Sequence, residues 1–407
     1  MKVLQINKFW RVRGGSERYV FELSRLLDDH GHEIVPFAMQ DPGNEPSDYS
    51  SLFVSPVELA DPYRLGLKGR IATAARIIHS REARRNMSVL ADLTHPDVAH
   101  CHNIYHHLSP SILPPLRKRG VGIVMTLHDS KLMCPALRFF NGQPCDQCRP
   151  RHYGRCITGK CVKGSRASSL LCATEMFYHD ITSAYTGSVD KFISPSQFLA
   201  GKLLDRGFPP EQIEVIPNFI DTEKWRPAAG KGDYVLFAGR LSVEKGGETL
   251  IRAMAKLPDI PVKIAGSGML ERKYRTLAHE LGACNVDFLG FRPEEEVRAM
   301  IQKARFVVMP SECYENAPMT VLEAFACGTP VLGSRIGGIP ELVKEGETGA
   351  LFEPGDVQDL RRGVEMLWDS RALGDMGVKA RQLAESKYSP APHYDKIINI
   401  YQQVRRT

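Results

Sequence analysis

The sequence predicts two doubly wound α/β halves facing each other across a cleft, and three features predict it. Short apolar runs of the buried-strand type alternate with amphipathic helix patterns in two separate blocks. A polar, turn-rich stretch from Asn218 to Gly232, containing Pro227 and Gly230, separates the blocks. Polar or glycine-bearing turns follow the strands, which is where open α/β sheets bind ligands. On this basis residues 1–217 form the first half, 218–389 the second, and 390–407 a terminal helix.

The 407 residues suit about two or three domains, and 43% hydrophobic with 25% charged residues is an ordinary soluble composition. No apolar run approaches the roughly 18 residues of a membrane helix. The opening MKVLQINKFWRVRGG lacks the long apolar centre of a signal peptide, so a cytoplasmic location is expected. A net charge of +6 is modest for the size, and no nucleic-acid partner is expected.

Val3 to Ile6 reads as the first strand. Gly14 and Gly15 follow, and a helix opens at Ser16 with Val20, Leu23 and Leu27 as its apolar stripe. Strand, glycine turn and helix together make the phosphate-facing unit of doubly wound folds, although a lone Gly-Gly also serves to ease a tight turn. From Arg64 to Arg85 there are seven basic residues and one acidic, with Leu67, Ile71, Ala74, Ile77 and Ile78 on one side. A solvated helix packed on its domain is the plainer reading. The functional one is peripheral contact with anionic lipid, at about 1 kcal/mol per near-surface basic residue.

Asp97–Asn103 and Gly122–Asp129 read as two more buried strands, with His102, Asn103, His128 and Asp129 facing the crevice. His100, His102, His106 and His107 lack an acidic partner set and read as the lining of a polar pocket rather than a metal site. An insert follows from Cys134 to Cys161. Cys145 and Cys148 form C-x2-C, and Cys156 and Cys161 form C-x4-C, a set that can hold one zinc in a tetrahedral site. In a reducing compartment a cysteine cluster is more often metal-binding than disulfide-bonded. The insert is polar and short of apolar residues to fold itself, which favours metal. An iron–sulfur cluster and a set of reduced thiols are the alternatives, and Cys134 is a spare fifth thiol. Lys191–Ser196 and Ile213–Asn218 complete the first block.

In the second block, YVLFAGR ends at Arg240, and Lys245, Gly246 and Gly247 open the next helix. Cations converging on a strand end can neutralise a leaving diphosphate. VKIAGSG brings Gly266 and Gly268 to the end of one strand, and VDFLGF brings Gly290 and Phe291 to the end of another. The stretch FVVMPSECYENAPMTVLEAFACGTP runs from a buried strand through a polar loop carrying Glu315 into a helix, with Glu323 about one turn in. A helix start at the carboxyl edge of a strand suits a diphosphate. Carboxylates beside such a site have hydroxyls as partners, and a pair of them points to sugar and ribose. PVLGSRIGGIPELV then supplies Gly337 and Gly338.

GGSER, TLHD, GRLSVEKG and the pair Glu315-x7-Glu323, in this order, resemble the motifs of family 4 retaining glycosyltransferases, which have the GT-B fold. The resemblance covers most of the chain and is strongest from Tyr234 to Glu353. It implies that Glu315 and His128 meet the donor sugar and Glu323 the ribose. It implies that Arg240 and Lys245 hold the diphosphate, that Gly14 and Gly15 approach it across the cleft, and that the segment with Gly266 and Phe291 borders the nucleotide. Asn316, Ala317 and Pro318 stand where many members carry Gly-Phe-Gly near the sugar and phosphate. The donor implied is a UDP- or GDP-sugar, and the acceptor a carbohydrate or lipid-linked sugar in surface polysaccharide or glycolipid assembly. No catalytic metal is expected, because cations and helix dipoles take its place. The helix pattern from Ala391 to Arg405 resembles the terminal helix that crosses back to the first half. A sugar-nucleotide epimerase or hydrolase of the same fold would share the donor site but would need an acid/base pair. A non-catalytic binding protein would have lost matched residues, and none is lost. The cysteine insert lies outside the common pattern.

Overall fold

The computed structural model describes residues 1–57 and 67–406. The first half carries β1 (Lys2–Ile6), β2 (Glu33–Phe37), β3 (Val98–Cys101), β4 (Gly122–Thr126), β5 (Lys191–Ser194) and β6 (Ile213–Val215). The second carries β7 (Val235–Ala238), β8 (Val262–Ala265), β9 (Val286–Gly290), β10 (Phe306–Met309), β11 (Val331–Ser334) and β12 (Gly349–Phe352). The sheet orders are β2-β1-β3-β4-β5-β6 and β12-β11-β10-β7-β8-β9, and all pairs are parallel. Parallel strands covered by helices on both faces must be apolar along their whole length, which is why β3, β4 and β10 are buried at every position. Strand order reverses between β1 and β3 and between β7 and β10, the crevices where such sheets take ligands.

The final helix, Pro390–Val404, does cross back. Its Ile397, Ile400, Tyr401 and Val404 share one core with Val3, Val98, Val124 and Ile193 of the first sheet. The connecting stretch after β6 is less loose than its composition predicts. Phe219 belongs to that same core, while Ile220 and the fully buried Trp225 belong to the core of the second half. Burying an indole there outweighs the turn-rich character of its neighbours.

Two further expectations are corrected. The basic stretch is two helices, Leu67–Ile78 and Arg81–Thr94, because the Ser80 side chain caps the second by accepting the Ala83 N–H at 3.1 Å. Arg64 lies outside the described residues. Arg76 is 3.0 Å from Glu82, while Arg81, Arg84 and Arg85 are exposed. The insert also has more apolar packing than its sequence predicts. Its short helix Gly154–Thr158 and residues Cys148, Tyr153 and Cys156 pack on Ala173 and Met176 of the helix Arg166–Ile181. Among the described residues no helix is long and apolar enough to cross a membrane.

Candidate active site

Loops following β1, β4 and β5 meet loops following β7, β10 and β11 across the cleft. A Cβ on Gly15 would lie 3.7 Å from Met319, the first residue of the helix Met319–Ala326. The Asn316 side-chain amide donates to the His128 carbonyl at 3.1 Å, and the Asn218 amide donates to the Ala317 carbonyl at 3.1 Å. Phe139 and Phe198 of the first half pack against Tyr314 of the second. The residues predicted from sequence at Gly14, Gly15, His128, Lys245, Glu315, Asn316, Ala317, Pro318 and Glu323 therefore border one space.

Lys245 Nζ lies 2.5 Å from Glu315 Oε1, which also accepts the Ser311 hydroxyl at 2.8 Å. Burial would lower the Lys245 pKa, but the Glu315 carboxylate more than offsets it, so the ammonium titrates above its ordinary value. The approach depends on Gly246, which has φ of +66° and whose Cβ would fall 1.7 Å from the Pro310 carbonyl oxygen. Only glycine lets the loop after β7 press so closely on the end of β10. Gly266 serves similarly between the ends of β7 and β8, with a would-be Cβ 1.8 Å from the Gly239 carbonyl oxygen. The Arg240 side chain is exposed, with no ion pair or hydrogen bond among the described residues. Phe291, 75% exposed, follows β9 directly, next to the Gly266 N–H bond to Gly290.

Glu323 is buried and ion-paired to Arg18, which also lies 3.2 Å from Glu294. Burial raises the Glu323 pKa, and Arg18 offsets only part of that. Glu22, one turn beyond Arg18, is pushed up to about 7, first by burial and then against the pull of Arg18 and Lys224. Neither Arg18 nor Glu22 is visible as a site residue in the sequence. Arg18 closes the string GGSER, yet its partners lie hundreds of positions away.

His128 sits on a relay. Its Nε2 is 3.0 Å from His102 Nδ1, and His102 Nε2 is 2.9 Å from Gln5 Oε1. With the Gln5 oxygen accepting, a neutral His102 spends its one N–H on Gln5. His128 then donates from Nε2, leaving its Nδ1 lone pair as an acceptor, a tautomer assigned from the hydrogen-bond pattern. Burial holds His128 down to about 3, so it is neutral at ordinary pH. His102 and Asn103, expected at the crevice, are instead buried behind it, because the His102 ring is needed to bridge Gln5 and His128.

Cys145, Cys148, Cys156 and Cys161 line one cavity of about 300 Å³. Nearby, burial pushes the Cys134 thiol pKa up, opposed by hydrogen bonding from the backbone of Phe139, Ala136 and Arg138. No three of these thiols lie within 4.8 Å of one another. Among the described residues the group of candidate ligand atoms that does is His106, Cys172 and Glu175. There the Lys131 ammonium, 2.8 Å from Glu175, already supplies the positive charge.

A family model described as Glycosyltransferase Family 4 matches residues 13–224, and one described as Glycosyl transferases group 1 matches residues 220–385. Glycogen synthase of Mycobacterium tuberculosis is 26% identical, over 93% of this chain and 89% of that protein. An uncharacterized glycosyltransferase of Methanocaldococcus jannaschii is 32% identical over 49% of this chain, and the match spans about half, 53%, of its length. HepE of Anabaena, solved in complex with UDP and in another structure with UDP-glucose, superposes in its UDP form with a TM-score of 0.66 at 18% identity. That match covers 99% of this chain and 100% of HepE, and at such identity it shows the fold.

Proposed function

This chain belongs to glycosyltransferase family 4, and from that premise we propose that it is a retaining enzyme moving a hexose-type sugar from a nucleoside diphosphate donor to a hydroxyl acceptor. The donor is a UDP- or GDP-sugar, and the acceptor a carbohydrate or lipid-linked sugar of surface polysaccharide or glycolipid assembly. The observation that carries the reading is the convergence of Lys245, Glu315, Glu323 and the Gly14–Gly15 turn on one cleft. The complexes of HepE with UDP and UDP-glucose support the donor class.

In this reading the diphosphate meets the N–H groups opening the helix Met319–Ala326, together with Arg240 and Lys245. It takes Lys245 from Glu315, freeing that carboxylate for sugar hydroxyls. Glu323 turns from Arg18 to the ribose. As the bond from the anomeric carbon to the diphosphate oxygen breaks, charge gathers on the leaving group, where the two cations stabilise it. A diphosphate oxygen takes the acceptor's proton. The acceptor oxygen bonds to the same face of the sugar, so configuration is retained. Neutral His128 accepts a sugar hydroxyl without opposing positive charge at the anomeric carbon.

The insert is assigned one structural zinc on Cys145, Cys148, Cys156 and Cys161, supported by their shared cavity and the C-x2-C spacing. The sulfurs stand wider apart than one metal needs, so loading would draw the insert inward. A cytoplasmic location with peripheral lipid contact through exposed Arg81, Arg84 and Arg85 belongs to the same reading. Thermal shifts across UDP-, GDP- and ADP-sugars test the donor assignment, with stabilisation by one nucleotide class expected. No shift with any of them would sink it. Sugar release at full rate without acceptor would favour a hydrolase.

A further inference from the structure

Three cations surround one phenyl ring where the chain leaves β1. Lys8 Nζ stands 5.7 Å from the centre of the Phe9 ring, Arg11 Cζ 5.9 Å and Arg13 Cζ 4.4 Å. Arg11 is neutralised by Asp41 at 3.2 Å. The half-buried Lys8 and exposed Arg13 side chains have neither a hydrogen bond nor a carboxylate partner among the described residues. Contact with the ring stabilises each cation modestly but cancels no charge, so the two repel each other until an anion takes them both.

The backbone beneath them is fixed. The Lys8 N–H donates to the Asn103 carbonyl at 3.0 Å, and the Lys8 carbonyl accepts the Met39 N–H at 3.0 Å. The Asn7 side chain donates to the Phe9 carbonyl at 2.9 Å, and the buried Trp10 packs 4.7 Å from Phe21 between ring centres. Arg13 leads directly into the Gly14–Gly15 turn, where Gly15 faces Met319 across the cleft. Lys8 lies within electrostatic reach of the sugar end of that cleft. After burial, the charge that acts on His128 is that of Lys8, which acts on Asp129 as well. The charges that act on His107, its ring 6.1 Å from that of Phe9, are all positive and come from His106, Lys8, Arg76 and Arg13. Asp129 cancels one of these charges at most, so the wall stays positive. A planar guanidinium and an ammonium on one ring match the oxygens and the double charge of a phosphate better than the single charge of a carboxylate.

We propose that Lys8 and Arg13 form an anion subsite on the acceptor side of the cleft, and that the acceptor carries a phosphate there. This rests on the glycosyltransferase reading above. The phosphate belongs either to a free sugar phosphate or to a lipid-linked sugar. The test uses the full chain saturated with UDP or GDP, whichever binds, so that phosphate cannot score at Arg240 and Lys245. Calorimetry with glucose 6-phosphate, set against glucose and glucuronate, is the first arm. Flotation with phosphatidylcholine vesicles containing phosphatidic acid is the second. Binding is expected in one arm, and in the first it should be about tenfold tighter than for glucose or glucuronate. Lys8→Gln and Arg13→Gln should each weaken it roughly fivefold or more, between the scales of an exposed ion pair and a charged hydrogen bond, with nucleotide affinity retained. Glucose 6-phosphate binding assigns a free sugar phosphate, and vesicle binding lost in Lys8→Gln assigns a lipid-linked one. Vesicle binding that survives both substitutions but falls in Arg81→Gln is the peripheral contact alone and overturns the proposal. An equal loss of nucleotide affinity would place the two cations on the donor diphosphate and overturn it too. So would glucose binding as tightly as its phosphate, or no binding in either arm at millimolar probe. Failure of both UDP and GDP to bind would instead sink the donor assignment, and this subsite with it.

Discussion

The loops after β7 and β10 and the cysteine insert after β4 border the same cleft and are built in opposite ways. In the first, a few residues span the gap between a strand end and a helix start. Lys245, Ser311 and Glu315 are held in one hydrogen-bonded group by backbone that cannot move far. In the second, two isolated bridges and a five-residue helix are the regular structure, held by a small side-chain cluster on the helix Arg166–Ile181, by Phe139 in the first half's core, and by Asp146 paired to Lys202 and Arg206. Chemistry anchored to strand ends is preorganised, whereas a metal on the insert's thiols, as proposed above, would have to supply part of the insert's own order.

The sharpest test of that contrast lies on the preorganised side. Lys245→Ala or Arg240→Ala should cut turnover by about 100-fold or more, the scale of removing one transition-state donor, while the chain stays folded. Near-normal rates in both would mean the diphosphate lies elsewhere. Next in size, Glu323→Gln should weaken UDP or GDP and the matching sugar nucleotide alike, by roughly 10- to 100-fold. Unchanged affinity for the free nucleotide would leave Glu323 as only the partner of Arg18.

On the insert side, chelating the proposed zinc or replacing Cys148 with Ser should lower transfer several-fold and speed proteolysis within the insert, with nucleotide affinity unchanged. Elemental analysis of protein purified without added metal comes first. A finding of neither zinc nor iron, with all ten cysteines freely titratable, would remove the metal from the comparison.

The smallest effect concerns Glu22. Its folded pKa of about 7 stands above the ordinary 4.5, so the folded state holds the proton more tightly. Its contribution is fully present below about 4.5 and is lost as pH rises through about 7. Glu22→Gln should therefore melt a few degrees higher than the parent above pH 7 and no higher near pH 4.5. An equal gain at both ends would mean packing, and not charge, is responsible.

Much of the cleft was legible because it follows from local order. An apolar run, a turn and a helix start bring Arg240, Lys245, Glu315 and Glu323 to the carboxyl edges of their strands, whatever the rest of the chain does. The packed connecting stretch, the capped break at Ser80 and the insert's apolar cluster were not legible, since each depends on a neighbour that composition does not name.

What the sequence determined by itself was the alternation of strands and helices, the two halves, and the order in which cations, glycines and carboxylates arrive at the cleft. Only the tertiary structure decided the pairings. Arg18 reaches Glu323 across 305 positions, Asn316 reaches His128 across 188, and Arg206 reaches Asp146 across 60. Periodicity is a property of neighbouring residues, so a single chain displays it. A hydrogen bond between distant side chains depends on how whole sheets pack and on which polar groups that packing shields from water.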